Sequence, residues 1–279
     1  MDLTAHLEQA AQALKAAEAV LITAGAGSGV DSGLPDFRGQ TGFWKAYPPI
    51  AKLGLSFSQM ANPHWFATKP RLAWAFYGHR LQLYRRITPH QGFFQLKEIV
   101  ASKPGGYFVF TSNVDGHFQK AGFAENRIVE CHGSIHHLQC TRICSNAIWE
   151  ATAVDVIVDE DRFEAQDPLP HCIHCGALAR PNILMFGDWS WIPDHTQEQE
   201  WHFSHWLNQL ERDHRNLAIV EIGAGTAVPT VRLQSETVAR RLGGCLIRIN
   251  PRDFNVPHGQ IPIPLGAAEG IYQIYKHIK

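Results

Sequence analysis

A short apolar run at residues 19–23, with Val20, Leu21 and Ile22 at its centre, breaks into Gly25-Ala26-Gly27-Ser28-Gly29. It continues through Ser32-Gly33-Leu34-Pro35-Asp36-Phe37-Arg38-Gly39. A buried strand that runs directly into Gly-x-Gly is how open α/β sheets bring main-chain N–H groups up to a dinucleotide pyrophosphate. The same pattern also serves as a plain turn after a strand. The second half of the stretch narrows the choice, because it sets a stiff turn, an acid, a ring and a guanidinium into a glycine-rich loop.

The rest of the chain repeats the strand-then-polar-tip pattern. Residues 3–17 read as a helix with Leu3, Leu7, Ala10, Ala11 and Leu14 on one face. Strands are predicted at 107–110, 127–131, 217–222 and 245–249. They run into Ser112-Asn113-Val114-Asp115, His132, Gly223-Ala224-Gly225-Thr226 and Asn250 respectively. Helices are predicted at 70–86, at 196–213 and from 266 onward, with a capping box at Thr88 and Pro89 opening another that reaches about residue 102. Strands alternating with helices predict a Rossmann-like parallel sheet with helices on both faces and its ligands at the carboxyl edge. Asn and Asp at a strand end are also ordinary turn chemistry. Phe43, Trp44, Tyr47, Pro48 and Pro49 predict an irregular aromatic segment, either a ligand-covering loop or a packed one.

Two further features stand apart. Cys140-x3-Cys144 and Cys172-x2-Cys175 suit tetrahedral zinc held in two knuckles, which can stabilise a lobe too small for its own core. His136, His137, His171 and His174 are near enough to replace a thiolate, and four free thiols are the plainer alternative. The chain is therefore divided into a discontinuous main domain, 1–134 with 181–279, and a small zinc-binding module at 135–180. Tyr77 and Arg80, three apart on one helix, can together receive a carboxylate, or can be a half-buried phenol beside a solvated guanidinium.

A net charge of −1 offers no broad grip on nucleic acid or on an anionic membrane. The polar first 15 residues lack the apolar core of a signal peptide, and no run approaches a membrane span. The expectation is a cytoplasmic protein without nucleic-acid or membrane partners.

Taken together, these motifs resemble the sirtuins, the NAD-dependent protein deacylases, over roughly residues 18–270. The resemblance implies a cofactor loop with Gly25, Ala26, Gly27, Asp36, Phe37 and Arg38, the ring of Phe37 shielding the sugar after nicotinamide leaves. Thr111 to Asp115 with Ala121-Gly122 is similar to the second family motif, so Asn113 and Asp115 would hold nicotinamide and Ser112 stands where Gln is usual. Glu130-Cys131-His132-Gly133-Ser134 resembles the catalytic motif, with His132 as general base. Gly225 and Thr226 would line the cofactor, with Ala227 in place of a serine. Asn250 would reach the adenosine ribose, and Ala268 would open a helix closing over the adenine.

By the same resemblance, residues 180–188 pair an acyl-lysine peptide as an added strand, with Ile183, Leu184, Phe186 and Gly187 in contact. Tyr77 and Arg80 match the Tyr-x-x-Arg pair that some sirtuins use for succinyl- and malonyl-lysine. Zinc would be structural and held by the four cysteines. NAD would be consumed as a co-substrate, giving nicotinamide and acylated ADP-ribose. Ser28-Gly29 departs from the usual Ile-Ser, displacing the hydroxyl by one position. ADP-ribosyl transfer or NAD hydrolysis would use the same pocket, and a non-catalytic zinc-bearing binding module is the reading from a different class.

Overall fold

The computed structural model describes residues 2–35 and 39–279; Asp36, Phe37 and Arg38 of the expected cofactor loop lie outside the described residues. In chain order come α1 (Leu3–Ala16), β1 (Ala19–Ala24), a 3-10 segment over Ala26–Ser32, α2 (Gly39–Ala46), α3 (Pro48–Lys52), α4 (Phe57–Met60) and α5 (His64–Thr68). Next are α6 (Pro70–Arg86), α7 (Gln91–Val100), β2 (Tyr107–Thr111), α8 (His117–Lys120), β3 (Ile128–Glu130), β4 (Gly133–Cys140) and β5 (Ile148–Glu150). Then follow β6 (Val158–Asp159), β7 (Glu164–Ala165), β8 (Ala179–Ile183), α9 (Asp194–Arg212), β9 (Leu217–Ile222), α10 (Thr230–Leu242), β10 (Cys245–Ile249), β11 (Ile261–Ile263) and α11 (Ala267–Ile278).

Near-continuous apolar runs such as 19–24 and 217–222 are buried on both faces, the signature of strands inside a parallel sheet. Six of them form one sheet in the order β11-β10-β9-β1-β2-β3, every neighbouring pair parallel. Val20 and Ile22 join a core with Leu7, Leu14, Phe93 and Ile271 from α1, α7 and α11. Leu21, between them, joins Phe203, Trp206 and Val238 from α9 and α10. Alternate residues of one strand thus feed opposite layers. From β1 the chain goes to β2 on one side, while β9 enters later on the other. The order reverses there, so the carboxyl ends of β1 and β9 form a topological switch point, where ligands of open α/β sheets bind.

A second, antiparallel sheet has the order β5-β4-β8, and β6 pairs with β7 as a separate hairpin. Its core is continuous with the helices α2 to α6: Phe43, Tyr47, Trp74, Phe76 and Tyr77 cluster with Ile135, Leu138, Val156 and Phe163. The Trp74 indole N–H ties the two together by donating to the Ala179 carbonyl at 3.0 Å.

Three local expectations change. Residues 43–49 are helical rather than irregular, because the rings of Phe43 and Tyr47 pack at 6.0 and 5.2 Å from Phe76 and Pro48 occupies a first helical turn, where its missing N–H costs nothing. The capping box at Thr88 does not form. His90 is extended and is itself the N-cap of α7, its ring nitrogen taking the part expected of the Thr88 hydroxyl. α9 begins two residues early, at Asp194. No helix among the described residues is long and apolar enough to cross a membrane.

Candidate active site

Gly25 and Gly223, at the tips of β1 and β9, interlock. A Cβ on Gly25 would stand 2.8 Å from Ala224 Cα, and one on Gly223, whose φ is +61°, would stand 2.2 Å from Ser28 N. No side chain fits at either position. The Gly27 N–H donates to the Gly223 carbonyl at 3.0 Å, so the two glycine turns are one structure. Beyond them Gly225 faces open space and Thr226 is exposed, leaving room at the rim for a ligand.

Asn113 is stitched into this loop. Its side-chain amide donates to Ser28 Oγ at 2.9 Å and to the Gly25 carbonyl at 3.2 Å, while its own N–H donates to Thr111 Oγ1 at 3.0 Å. The displaced hydroxyl of Ser28 therefore has a use: it accepts from Asn113. Asp115 is buried, and its carboxylate accepts the His117 N–H at 2.9 Å, capping α8.

His132 follows β3 and is half-buried. Burial holds its pKa below the usual histidine value, opposed by a hydrogen bond with the Ser112 main chain. The imidazole is thus neutral, the form a general base needs. Because the shift is downward, the ring stays unprotonated to lower pH than a free imidazole would, and so would a general base at this position. The acid limb of a kcat profile is expected to have its midpoint below about 6.5, and stopped-time rates from pH 5 to 9 that place it above that value contradict the assignment. The His132 carbonyl also accepts the Leu184 N–H at 2.9 Å, joining this turn to the segment after β8.

In that segment Leu184 and Phe186 are exposed on one side, with Met185 buried between them and Ile183 buried before them. Gly187 follows with φ +67°. The N–H groups of Leu184, Met185 and Phe186 are already committed, to the His132 carbonyl, the Asp188 carboxylate and the Ala61 carbonyl. An added strand would therefore meet the carbonyls and side chains here, not these three donors. The buried pair Arg180–Asp188 braces the segment from beneath, with Arg180 also donating to the Ile183 carbonyl at 2.8 Å.

Asn250, expected on the adenosine ribose, is wholly buried. Its amide donates to the Ala224 carbonyl at 2.9 Å, and its oxygen accepts from the Arg252 and Asp253 N–H groups, each at 3.0 Å. The amide braces the second glycine turn and the oxygen holds the turn that follows β10. The Ala268 N–H donates to Asp31 at 2.8 Å, so the start of α11 is tied to the first glycine loop.

Tyr77 and Arg80 do come together, but not as a mutual hydrogen bond. Arg80 is buried, lies 5.7 Å from the Tyr77 ring centroid and donates to the Tyr84 hydroxyl at 2.9 and 3.1 Å. The Tyr77 ring stacks on Phe66 at 5.7 Å, and its buried hydroxyl has no partner among the described residues. Burial pushes the Tyr77 phenol up to about 12, with Arg80 opposing, so it stays a donor.

The four cysteines converge. Cys140 and Cys175 are 3.6 Å apart at sulfur, as are Cys144 and Cys172, and all four sulfurs lie within 4.8 Å of one another. Tetrahedral zinc with Zn–S near 2.3 Å requires sulfurs about 3.8 Å apart, so the donor set fits. The nearby histidines are not part of it: His136 donates to the Asp115 carbonyl at 2.9 Å, and the His137 ring packs on His195 at 4.9 Å.

Two residues of the site escaped the sequence reading. Tyr84 stands one helical turn beyond Arg80, a visible i, i+4 spacing that was not exploited. Glu130 is a buried acid whose Oε1 has no partner among the described residues, and whose carboxyl burial pushes up to about 8 against hydrogen bonding from Ser134, Gln119 and Gln199; an acid inside an apolar strand was the available signal.

Comparison with known proteins agrees with this geometry. The Sir2 family pattern matches residues 25–216. An NAD-dependent protein deacylase of Deinococcus radiodurans is 31% identical, with 95% of this chain and 96% of that one covered. NAD-dependent protein deacylase 1 of Archaeoglobus fulgidus is 28% identical, with 91% of each covered. Among solved structures, a Sir2 homologue complexed with NAD superposes with a TM-score of 0.69 at 25% identity, over 97% of this chain and 93% of the other. One complexed with ADP-ribose gives 0.69 and 25%, over 97% and 95%. With a family match over most of its length, and relatives aligned nearly end to end, this chain belongs to the Sir2 family.

Proposed function

We propose that the protein is an NAD-dependent protein-lysine deacylase, releasing nicotinamide and O-acyl-ADP-ribose. The observation that carries this is one linked constellation: neutral His132 bonded to Ser112, beside Asn113, which is anchored to Ser28 and Gly25 of the glycine loop. Bound NAD supplies a labile nicotinamide–ribose bond there. Asn113 and Asp115 hold the nicotinamide end. His132 takes the proton from a ribose hydroxyl, and burial keeps it neutral for that task. Gly25, Ala26, Gly27, Ser112, Gly225, Thr226 and Ala268 line the dinucleotide, a role that the sequence resemblance extends to Asp36, Phe37 and Arg38. Leu184 and Phe186, exposed beside the His132 carbonyl contact, meet the peptide, with Ile183 and Gly187 setting the segment's course. Residues 135–180 act as the inserted zinc module of the main domain, 1–134 with 181–279. Incubation with NAD and acetyl-lysine peptide tests the assignment by mass spectrometry. A purified protein that labels the peptide with ADP-ribose, or liberates nicotinamide without deacylation, has the transferase or hydrolase activity instead.

The acyl preference we read is for acidic acyl groups, succinyl and malonyl. Its support is the buried Arg80 with an unpartnered Tyr77 hydroxyl beside it, two donors suited to one carboxylate. Arg80→Met is expected to lower kcat/KM on a succinyl peptide by about 10- to 100-fold, the loss of a charge-assisted hydrogen bond, while sparing an acetyl peptide. Equal losses on both peptides sink the preference.

A further inference from the structure

His90 is the N-cap of α7, yet its contacts reach well beyond that helix. Its main-chain N–H donates to Ser32 Oγ at 2.9 Å. Its ring Nδ1 accepts the Gly92 N–H at 3.1 Å, and Nε2 lies 3.0 Å from the Ser28 carbonyl. These contacts fix the tautomer. An N–H donor on one side leaves Nδ1 bare, and a carbonyl on the other can only accept, so the proton sits on Nε2. The ring can curl back this far because position 92 is glycine, where a Cβ would stand 2.7 Å from the His90 ring.

Ser28 is the residue whose hydroxyl accepts from Asn113. The chain of contacts thus runs from α7 through the His90 ring to Ser28, and from Ser28 to the amide beside the nicotinamide end. We propose that His90 is a positioning residue for dinucleotide binding: its neutral imidazole clamps the glycine loop at Ser28 and so sets the reach of Asn113. The inference rests on the reading that this loop holds the dinucleotide.

The clamp is sensitive to acid on chemical grounds. Protonated Nδ1 would point its hydrogen at the Gly92 N–H and lose the cap, and an imidazolium at a helix N-terminus opposes the helix dipole. Around the ring stand Asp31 of the loop, which favours the cation, and His117 of α8, which disfavours it. Phe93 packs at 4.8 Å. From α11, Ile271 lies against Gly92. Burial outweighs the favourable terms and keeps the ring neutral near pH 7.

Calorimetric titration with ADP-ribose tests this without needing the general base. On the wild type, affinity is expected to fall by about fivefold between pH 7.5 and 5, on the scale of one lost hydrogen bond. The same fall is expected in His132→Ala, so it does not come from the proposed general base. His90→Asn keeps a cap for α7 but is too short for Ser28. It is expected to melt within a few degrees of the wild type, to bind about fivefold more weakly at pH 7.5, and to lose the acid response. His90→Asn binding with the wild-type affinity and acid response overturns the clamp alone. A wild type that never binds ADP-ribose overturns the loop reading, and the clamp falls with it.

Discussion

Replacing His132 with alanine is expected to lower kcat by about 10²–10⁴-fold, the usual worth of a positioned general base, while leaving the fold and ADP-ribose binding in place. The expectation follows from how this histidine is built in. Its main-chain carbonyl, not its ring, holds the Leu184 N–H, so the turn between β3 and β4 keeps its link to the segment after β8 when the ring is truncated. Gly133, with φ +72° and only 2.1 Å between a hypothetical Cβ and the Asn182 carbonyl, sets the course of the turn and is untouched. The ring contributes a neutral nitrogen pair and one bond to Ser112. Nicotinamide release measured at saturating NAD, beside a thermal melt, checks both halves. A variant within tenfold of the wild type would show that the proton goes elsewhere, with the buried Glu130 carboxyl the next group to examine.

Cys172→Ser is expected to cost the protein its zinc and, with it, the knuckle that closes the far end of the small sheet. Structural zinc contributes on the order of 10–16 kcal/mol in small metal-folded domains, more than the whole margin of a typical domain. The sulfurs here tie the end of β4, at Cys140, to the stretch before β8, where Cys172 is buried. Without that tie, β4 and β8 keep their ladder but lose the knuckle that closes the far end. The damage should spread, because α6 shares its core with this sheet through Trp74, Tyr77, Leu138 and Val156. Arg80 sits on the same helix, so succinyl-peptide activity should fall along with stability. Metal analysis is expected to find one zinc per wild-type chain and less than a tenth of that in the variant, with a lower melting temperature. An unchanged melt in the zinc-free variant would make the cysteines dispensable for folding.

Much of the site was legible in sequence because its chemistry is local. Gly25-Ala26-Gly27, Asn113, Asp115 and His132 each follow an apolar strand directly, and strand burial is a pattern of consecutive residues. Cys140, Cys144, Cys172 and Cys175 announce themselves by spacing, since a thiolate knuckle sets its ligands with only two or three residues between them. Other parts could not be read that way. The irregular reading of 43–49 failed because those rings are satisfied by Phe76, a partner more than 25 residues further along the chain. Asn250 was assigned to a ligand when the structure spends it on the Ala224 carbonyl across the neighbouring strand tip.

By itself, then, the order of residues determined the parallel αβ architecture, the glycine turns, the placing of His132 just past a strand end and the metal knuckle, all of which depend on neighbours in the chain. Only the tertiary structure decided that Ser28 receives Asn113, and that His90 reaches across from another helix to hold Ser28. The physical reason is that a hydrogen bond requires its two atoms within about 3 Å, and whether residues sixty or eighty positions apart come that close is settled by packing.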